Sequence, residues 1–356
     1  MSRHSLSRRE FLGGTIGLGL LGPTIGKVLA GTDPARPTSY PIRKRAPNPF
    51  VKSGKPIVLV VRGTDFPSML ARGMELLGGF ARFGTGRSVI VKPNFVFDKR
   101  TTYPVTTDEA SVLATVKYLQ REGFRDITVA DRRGKKVNGR AGGKFEWSGL
   151  NDRAEAGGFR TDSLLDDEKA DSIPVRNASW DQMQSYGVIR TIYEAGLIIN
   201  LPTLKQHSIT NLTCSLKNMM GVLDVPTTEE MHLWGEGDKA RSESMSRAQV
   251  NQRLAMAIAE AAMAVSPELT VIDARTVLAK SHEGLTEGVP RRADRLIISG
   301  DPVAADVVAA RVMKEVYEPY DLGDTRHTFQ HAEKLGLGVA EVDRLEIIET
   351  SVPDSK

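Results

Sequence analysis

Between Gly196 and Pro226 the chain gathers Lys205, His207, Thr210, Asn211, Cys214, Lys217 and Asn218. Two lysines so close together can neutralise a carboxylate or a phosphate. A histidine beside them titrates near neutral pH, so it suits acid/base work or metal ligation. Threonine and asparagine add hydroxyl and amide donors that an anion can use. No other stretch of the sequence concentrates so many reactive side chains.

These residues need elements to hold them. The apolar run Leu197 to Leu201 reads as a buried strand stopped by Pro202. From about Ser208 the apolar residues Ile209, Leu212, Leu216, Met219 and Met220 recur near a period of 3.6, which predicts a helix. The predicted order is therefore strand, reactive connection, then a helix whose polar face carries Thr210, Asn211, Cys214, Lys217 and Asn218. Its positive N-terminal end would favour an anion.

Other polar residues also follow apolar strand runs. Lys92 and Asn94 come after Ser88 to Val91, Asp131 after Ile127 to Ala130, and Asp273 after Leu269 to Ile272. Short apolar runs alternate with helical patterns over 69–83, 105–121 and 248–265, which argues for βαβ units. The expected fold is α/β, a mainly parallel sheet with helices on both faces in Rossmann-like layers. In such sheets ligands sit beyond the carboxyl ends of the strands, where Lys92, Asp131, Lys205 and Asp273 are expected. Asp301 before Pro302 reads as a helix N-cap, and Asp306 lies farther along that helix.

Composition removes several classes of function. The chain has 356 residues, 6% of them aromatic, and a net charge of +4. Residues 1–30 hold four cations (Arg3, Arg8, Arg9, Lys27) against Glu10, so without them the net charge falls to +1. Such a balance gives no general field for nucleic acid or anionic membrane. The lone Cys214 excludes an intramolecular disulfide and a four-thiolate cluster from one chain. Beyond residues 1–30 neither G-x-G-x-x-G nor G-x-x-x-x-G-K-[ST] occurs, so the expected folded domain lacks the usual dinucleotide and P-loop fingerprints.

Residues 1–30 read as a twin-arginine signal: Arg8-Arg9, a short Gly-rich apolar run, then Val28-Leu29-Ala30 for cleavage. The run is short for a membrane span, so stable insertion is not expected. The expected partner is the twin-arginine translocase during export, and the expected location is periplasmic or extracytoplasmic. Residues 31–54, with Pro34, Pro37, Pro41, Pro47 and Pro49, read as a linker. Arg43, Lys44 and Arg45 within it read as a solvated basic cluster. The folded domain is expected over 55–350, with a division into two lobes near residue 190 left open. Residues 132–160, 227–247 and the connection at His282 are Gly-containing loops, candidates to cover a cleft.

Four segments in order resemble the DUF362 family, whose function is unknown. They are Val91-Lys92-Pro93-Asn94, the run Asn200 to His207, the run Leu216 to Gly221, and the run Ser299 to Asp306. Gln206 stands where the family usually has threonine or a similar small polar residue. The cysteine-rich ferredoxin segment of some members is missing, so no iron–sulfur cluster is expected. The core also resembles, faintly, the nickel-pincer lactate racemase family, in a histidine followed by a turn and a lysine-bearing helix. Through that resemblance a divalent metal enters as an expectation.

Three readings follow. In the first, a cofactor- or metal-dependent enzyme acts on a small anionic substrate. His207, Lys205 and Asp131 would be catalytic. Lys92, Asn94, Thr210, Asn211, Lys217 and Asn218 would bind substrate. His207, Asp273 and Asp306 are the metal candidates, although His207, His232 and His282 are too widely spaced for a familiar metal motif. In the second, an exported protein binds an anion or handles a cofactor without turnover. In the third, these groups only hold the fold together.

Overall fold

The computed structural model describes residues 38–95, 102–132, 145, 148–164, 171–234, 238–280 and 288–353. The signal over 1–30, most of the basic part of 132–160, and His282 lie outside the described residues.

Thirteen strands are described: β1 (Val51–Lys52), β2 (Lys55–Arg62), β3 (Val89–Pro93), β4 (Ile127–Ala130), β5 (Arg160–Asp162), β6 (Ser172–Val175), β7 (Tyr186–Ile189), β8 (Leu197–Leu201), β9 (Thr203–His207), β10 (Asn211–Thr213), β11 (Leu269–Ala279), β12 (Val289–Ser299) and β13 (Glu346–Ser351). The helices that matter below are α1 (Phe66–Leu77), α2 (Glu109–Arg121), α3 (Leu150–Gly157), α4 (Arg190–Tyr193), α5 (Ser215–Asn218), α6 (Val225–His232), α7 (Lys239–Glu243), α8 (Arg247–Val265), α9 (Pro302–Val316) and α10 (Arg326–Lys334).

The main sheet runs β1-β2-β12-β11-β8-β3-β4-β5. From β11 to β5 every pairing is parallel. The long β12 runs antiparallel between β11 and β2, so the sheet is mixed rather than parallel throughout. Alternation along each strand feeds two cores. Val58, Val60, Ile90, Ile198 and Ile297 face one core with α8, α9 and α10. Leu59, Val61, Val89, Val91, Ile199 and Ile298 face the other with α1 and α2. Runs buried on both sides are what a central strand between two helical layers requires.

Helix ends follow their local chemistry. Asp301 caps α9 by accepting from Val303 N and Ala304 N, and its other oxygen accepts from Val339 N. Ser246 and Gln249 close a capping box at the start of α8.

Three sequence expectations are corrected. Residues 38–54 are part of the domain, not a solvated linker. Arg43 is buried, 3.0 Å from Glu268 Oε1, and also donates to the carbonyls of Val265, Ser266 and Ala195; Phe50 is fully buried. Residues 38–356 form one compact unit, with no division near 190. The largest correction lies after Pro202. The chain does not leave the sheet there: it resumes as β9, runs parallel to the far half of β11, and turns back as β10. Only the four-residue α5 and a 3₁₀ turn over Met219–Val222 are helical in the stretch predicted to be a long helix.

Candidate functional site

The hairpin β9–β10 extends the sheet past the carboxyl ends of β3, β4 and β8. Its side chains alternate between faces, as a strand requires. Leu204 and Leu212 join the core beside α8 and α9. Thr203, Lys205 and His207 share the other face of β9. Asn211 pairs with His207 and Thr213 with Lys205, so the hairpin presents a face of five polar residues. All five are buried.

Lys205 is 1% exposed. Among the described residues its Nζ has one partner, the carbonyl of Val105 at 2.8 Å. Burial, and then the charge of Lys217, lower its pKa to about 7 against the attraction of Asp131. Opposite and alongside it, the hydroxyls of Thr213 and Thr203 are buried without a partner among the described residues, and so is Asn94 Oδ1. Lys217 is half-buried on α5, and among the described residues it has no hydrogen bond or ion pair. Burial takes its pKa down to about 8. It lines a cavity with Thr210, Leu216 and Asp306 whose space open to a water's centre is about 10 Å³, room for about one water.

His207 turns its ring back onto its own hairpin. Nδ1 accepts from Ile209 N at 3.1 Å and from Thr210 N at 3.3 Å. The proton of the neutral ring therefore sits on Nε2. Burial, then the charges of Lys217, Lys205 and His232, lower its pKa to about 2. The ring stays neutral through the physiological range. It can donate a hydrogen bond from Nε2, but it does not exchange a proton near pH 7.

Lys92, Asp131 and Asn218 form a closed network instead. Lys92 Nζ donates to Asp131 Oδ1 at 2.6 Å, to Pro93 O at 2.9 Å and to Asn218 Oδ1 at 3.2 Å. Asp131 also accepts from the backbone N–H groups of Phe95 and Arg132. Asn218 Nδ2 donates to Asn200 Oδ1 at 2.7 Å, and Asn200 Nδ2 donates to Ser215 on α5. Burial pushes the Lys92 pKa down and that of Asp131 up, and their attraction opposes both shifts. Gly221 makes the packing possible: a Cβ there would lie 2.5 Å from Asp131 Oδ1 and 2.8 Å from Lys92 Nζ. These residues hold α5 against the sheet. The structure thus brings Asp131, Lys92 and Asn218, expected in catalysis and substrate binding, together in one hydrogen-bonded network.

The metal candidates do not converge. Asp273 accepts from Tyr103 OH, Ser111 Oγ and the Arg275 guanidinium. Asp306 accepts from Ser215 N at 2.7 Å and Leu216 N at 2.9 Å, so it caps α5 from outside; burial raises its pKa to about 7. The ring nitrogen of His207 with a free lone pair in the neutral tautomer is already taken by backbone N–H. Among the described residues the carboxylate–histidine group with ligand atoms in mutual reach is Asp181, Glu260 and His331. There Glu260 accepts from Asp181 N, Gln182 N and Tyr186 OH, with His331 Nε2 at 3.1 Å, which accounts for its lone pairs. His327 and His331 make an i, i+4 pair on α10, but His327 is exposed while His331 is buried against Glu260.

Thr210 and Asn211 are likewise turned inward. Thr210 Oγ1 donates to Leu212 O, and Asn211 Nδ2 to Asp321 O at 2.6 Å. Sequence reasoning missed Thr203, Thr213 and Asn200. The signal for the first was there: Thr203-Leu204-Lys205-Gln206-His207 alternates with period two. His232, which the sequence places in a loop that could cover a cleft, stacks on Trp234 at 4.1 Å between ring centroids.

With this fold and polar hairpin in view, the comparisons with known proteins give a class. Residues 89–311 match DUF362, a domain of unknown function, and the chain belongs to that family. It is 25% identical over 252 residues to a protein of Synechocystis sp. named as thylakoid-associated, a match covering 68% of each chain. The lactate racemase apoprotein of Thermoanaerobacterium thermosaccharolyticum aligns with a TM-score of 0.40 and 11% identity over 68% of this chain. The chain spans 56% of the racemase's length. Among the described residues no helix is long and apolar enough to cross a membrane.

Proposed function

We propose that the hairpin face and Lys217 form the site of an enzyme acting on a small anionic substrate. One observation carries the reading. Lys205 is a buried cation whose described hydrogen-bond partner is a single carbonyl, with a second lysine close enough to lower its pKa and, among the described residues, no carboxylate in ion-pair contact with either; Asp131 attracts it only from a distance. A buried charge is normally paired. An anion would supply the missing partner, and the spare hydroxyls of Thr203 and Thr213 and the Nε2–H of His207 would complete its hydrogen bonds. A neutral imidazole used as a donor is a known catalytic arrangement.

An arriving anion raises the pKa of both lysines, so above about pH 7 its binding takes up protons. The test is calorimetric titration with inorganic phosphate and with lactate at pH 8, in two buffers of different ionisation enthalpy. Proton uptake is expected. Lys205→Met should weaken binding roughly tenfold to a hundredfold, the loss of one charged hydrogen bond. Wild-type affinity in that variant, beside a lowered melting temperature, would make the hairpin structural only. A non-catalytic binding protein is the second reading, favoured by the neutral state of His207, which leaves it no proton to exchange near neutrality.

The same reading locates the protein outside the cytoplasm, exported by the twin-arginine translocase and cleaved near Ala30. It rests on Arg8-Arg9 and the following apolar run, with the similarity to a thylakoid-associated protein as support. Replacing both arginines by lysine should hold the precursor in the cytoplasm. Unchanged export would refute it.

A further inference from the structure

The first turns of α8 line a pocket that shares no residue with the hairpin face. Its space open to a water's centre is about 230 Å³, against about 10 Å³ beside Lys217, so it has room for an organic molecule. Gln252, Arg253 and Met256 reach it from one face of α8, since residues three and four apart are neighbours on a helix. Arg241 comes from α7, Met245 from the connection between the two helices, and Gln182 from the connection between β6 and β7.

Arg253 is 5% exposed and fixed in the wall. Its Nη1 donates to Glu230 O at 3.1 Å and Met231 O at 2.9 Å, near the C-terminal end of α6, and its Nη2 donates to Gln182 O at 3.3 Å. Gln182 is held in turn, because its N–H donates to Glu260 at 3.2 Å. All three partners of the guanidinium are neutral, and Nε is buried with no partner among the described residues. Arg43, equally buried, has Glu268 in ion-pair contact. Arg253 has no such carboxylate among the described residues. Burial, and then the charge of Arg241, lower its pKa, and Glu230 and Asp238 attract it only from a distance. Arg241 is exposed, and its guanidinium makes no hydrogen bond or ion pair among the described residues. Two guanidiniums therefore line one pocket with no countercharge in contact. A guanidinium is planar and matches a carboxylate in two parallel hydrogen bonds. The thioethers of Met245 and Met256 add an adaptable apolar wall, fit for an alkyl chain rather than a second charge.

We propose that this pocket binds a small aliphatic carboxylate, with Arg241 closing on the carboxylate over the fixed charge of Arg253 and the chain lying against Met245 and Met256. The site stands independently of the anion reading at Lys205.

The experiment is titration of the full chain with hexanoate, and with acetate, hexanol and succinate as references. It is read by calorimetry and by the ¹³C-methyl resonances of the methionines. Hexanoate is expected to shift the Met245 and Met256 methyls and to bind roughly tenfold more tightly than acetate or hexanol. Arg241→Gln should lower hexanoate affinity roughly tenfold, the low end for loss of one charged hydrogen bond, with an unchanged melting temperature. Met256→Gln should narrow the gap between hexanoate and acetate. Lys205→Met should bind hexanoate as the wild type does. No binding of hexanoate, equal binding of hexanol, tighter binding of succinate, or methyl shifts away from Met245 and Met256 would overturn the proposal. So would wild-type affinity in Arg241→Gln, an unchanged gap in Met256→Gln, or loss of hexanoate binding in Lys205→Met.

Discussion

Lys92 and Lys205 are both 1% exposed and both lie where strands of one sheet end. Their surroundings differ completely. Lys92 faces a carboxylate, a carbonyl and an amide oxygen, and the far sides of those groups are occupied in turn. Among the described residues Lys205 has one partner, a carbonyl, shares its strand face with the spare hydroxyls of Thr203 and Thr213, and lies in the field of Lys217. Burial works against the ionised form in both places. Among the described residues, Lys92 has the opposite charge of Asp131 in direct contact, whereas Lys205 feels it only at a distance. A buried lysine is thus no sign of function by itself; the state of its neighbours' lone pairs separates a structural cation from one that waits for a ligand.

The comparison is broken most directly at Asp131. Asp131→Ala leaves Lys92 buried without its countercharge and two backbone N–H groups without an acceptor. A loss of about 3–5 kcal/mol is expected, read by urea denaturation. A loss below ~1 kcal/mol would mean that Lys92 and Lys205 are not different in kind.

Next in size is a pH effect at Lys205. The unfolded chain keeps that proton up to the ordinary lysine value, while the fold releases it near 7. Between those values the unfolded state binds more protons, so stability rises with pH across the window. The full shift sets a ceiling near 5 kcal/mol, and with local relaxation about 2–3 kcal/mol is expected. Lys205→Met should flatten the rise between pH 7 and about 10. Thermal melts at four pH values would show it, and an unchanged slope would place the amine in solvent.

Gly221→Ala sharpens the Lys92 side. The added methyl would press on Asp131 and Lys92 together, with an expected cost of about 1–3 kcal/mol. A neutral result would show that the network can shift. The smallest effect is expected at Cys214, which is buried beside Asp306, with its thiol pKa raised well above the usual value by burial and that carboxylate. Cys214→Ser should change stability by less than about 1.5 kcal/mol and leave phosphate binding intact. The wild-type thiol should resist iodoacetamide until the protein is unfolded.

Much of this was legible in the sequence, for local reasons. Leu197 to Leu201 is apolar because β8 is covered on both faces. Asp301-Pro302 signals the start of α9 through its own capping chemistry. The segment after Pro202 was misread because Ile209, Leu212, Leu216 and Met219 imitate a helical period. What makes it a hairpin is distant: the far half of β11 offers β9 a partner, and Asn211 takes a left-handed backbone angle of +56° to begin the return strand. Arg43 was misread as solvated for the same reason. Its carboxylate partner, Glu268, is 225 residues away. For Lys92 and Asp131 the position was readable but their contact was not, because spacing along a chain does not show whether two charges have already found each other.

The hairpin also fixes how this site can vary between relatives. Its chemistry depends on parity: odd-numbered residues of β9 carry the polar groups, and Leu204 fills the core. Substitutions can change one group at a time and leave the rest in place. Insertion or loss of a single residue within β9 would instead exchange the faces beyond that point, sending Lys205 and His207 toward the core and apolar residues into the site. Length changes among working relatives should therefore fall outside Thr203–His207, or come in pairs.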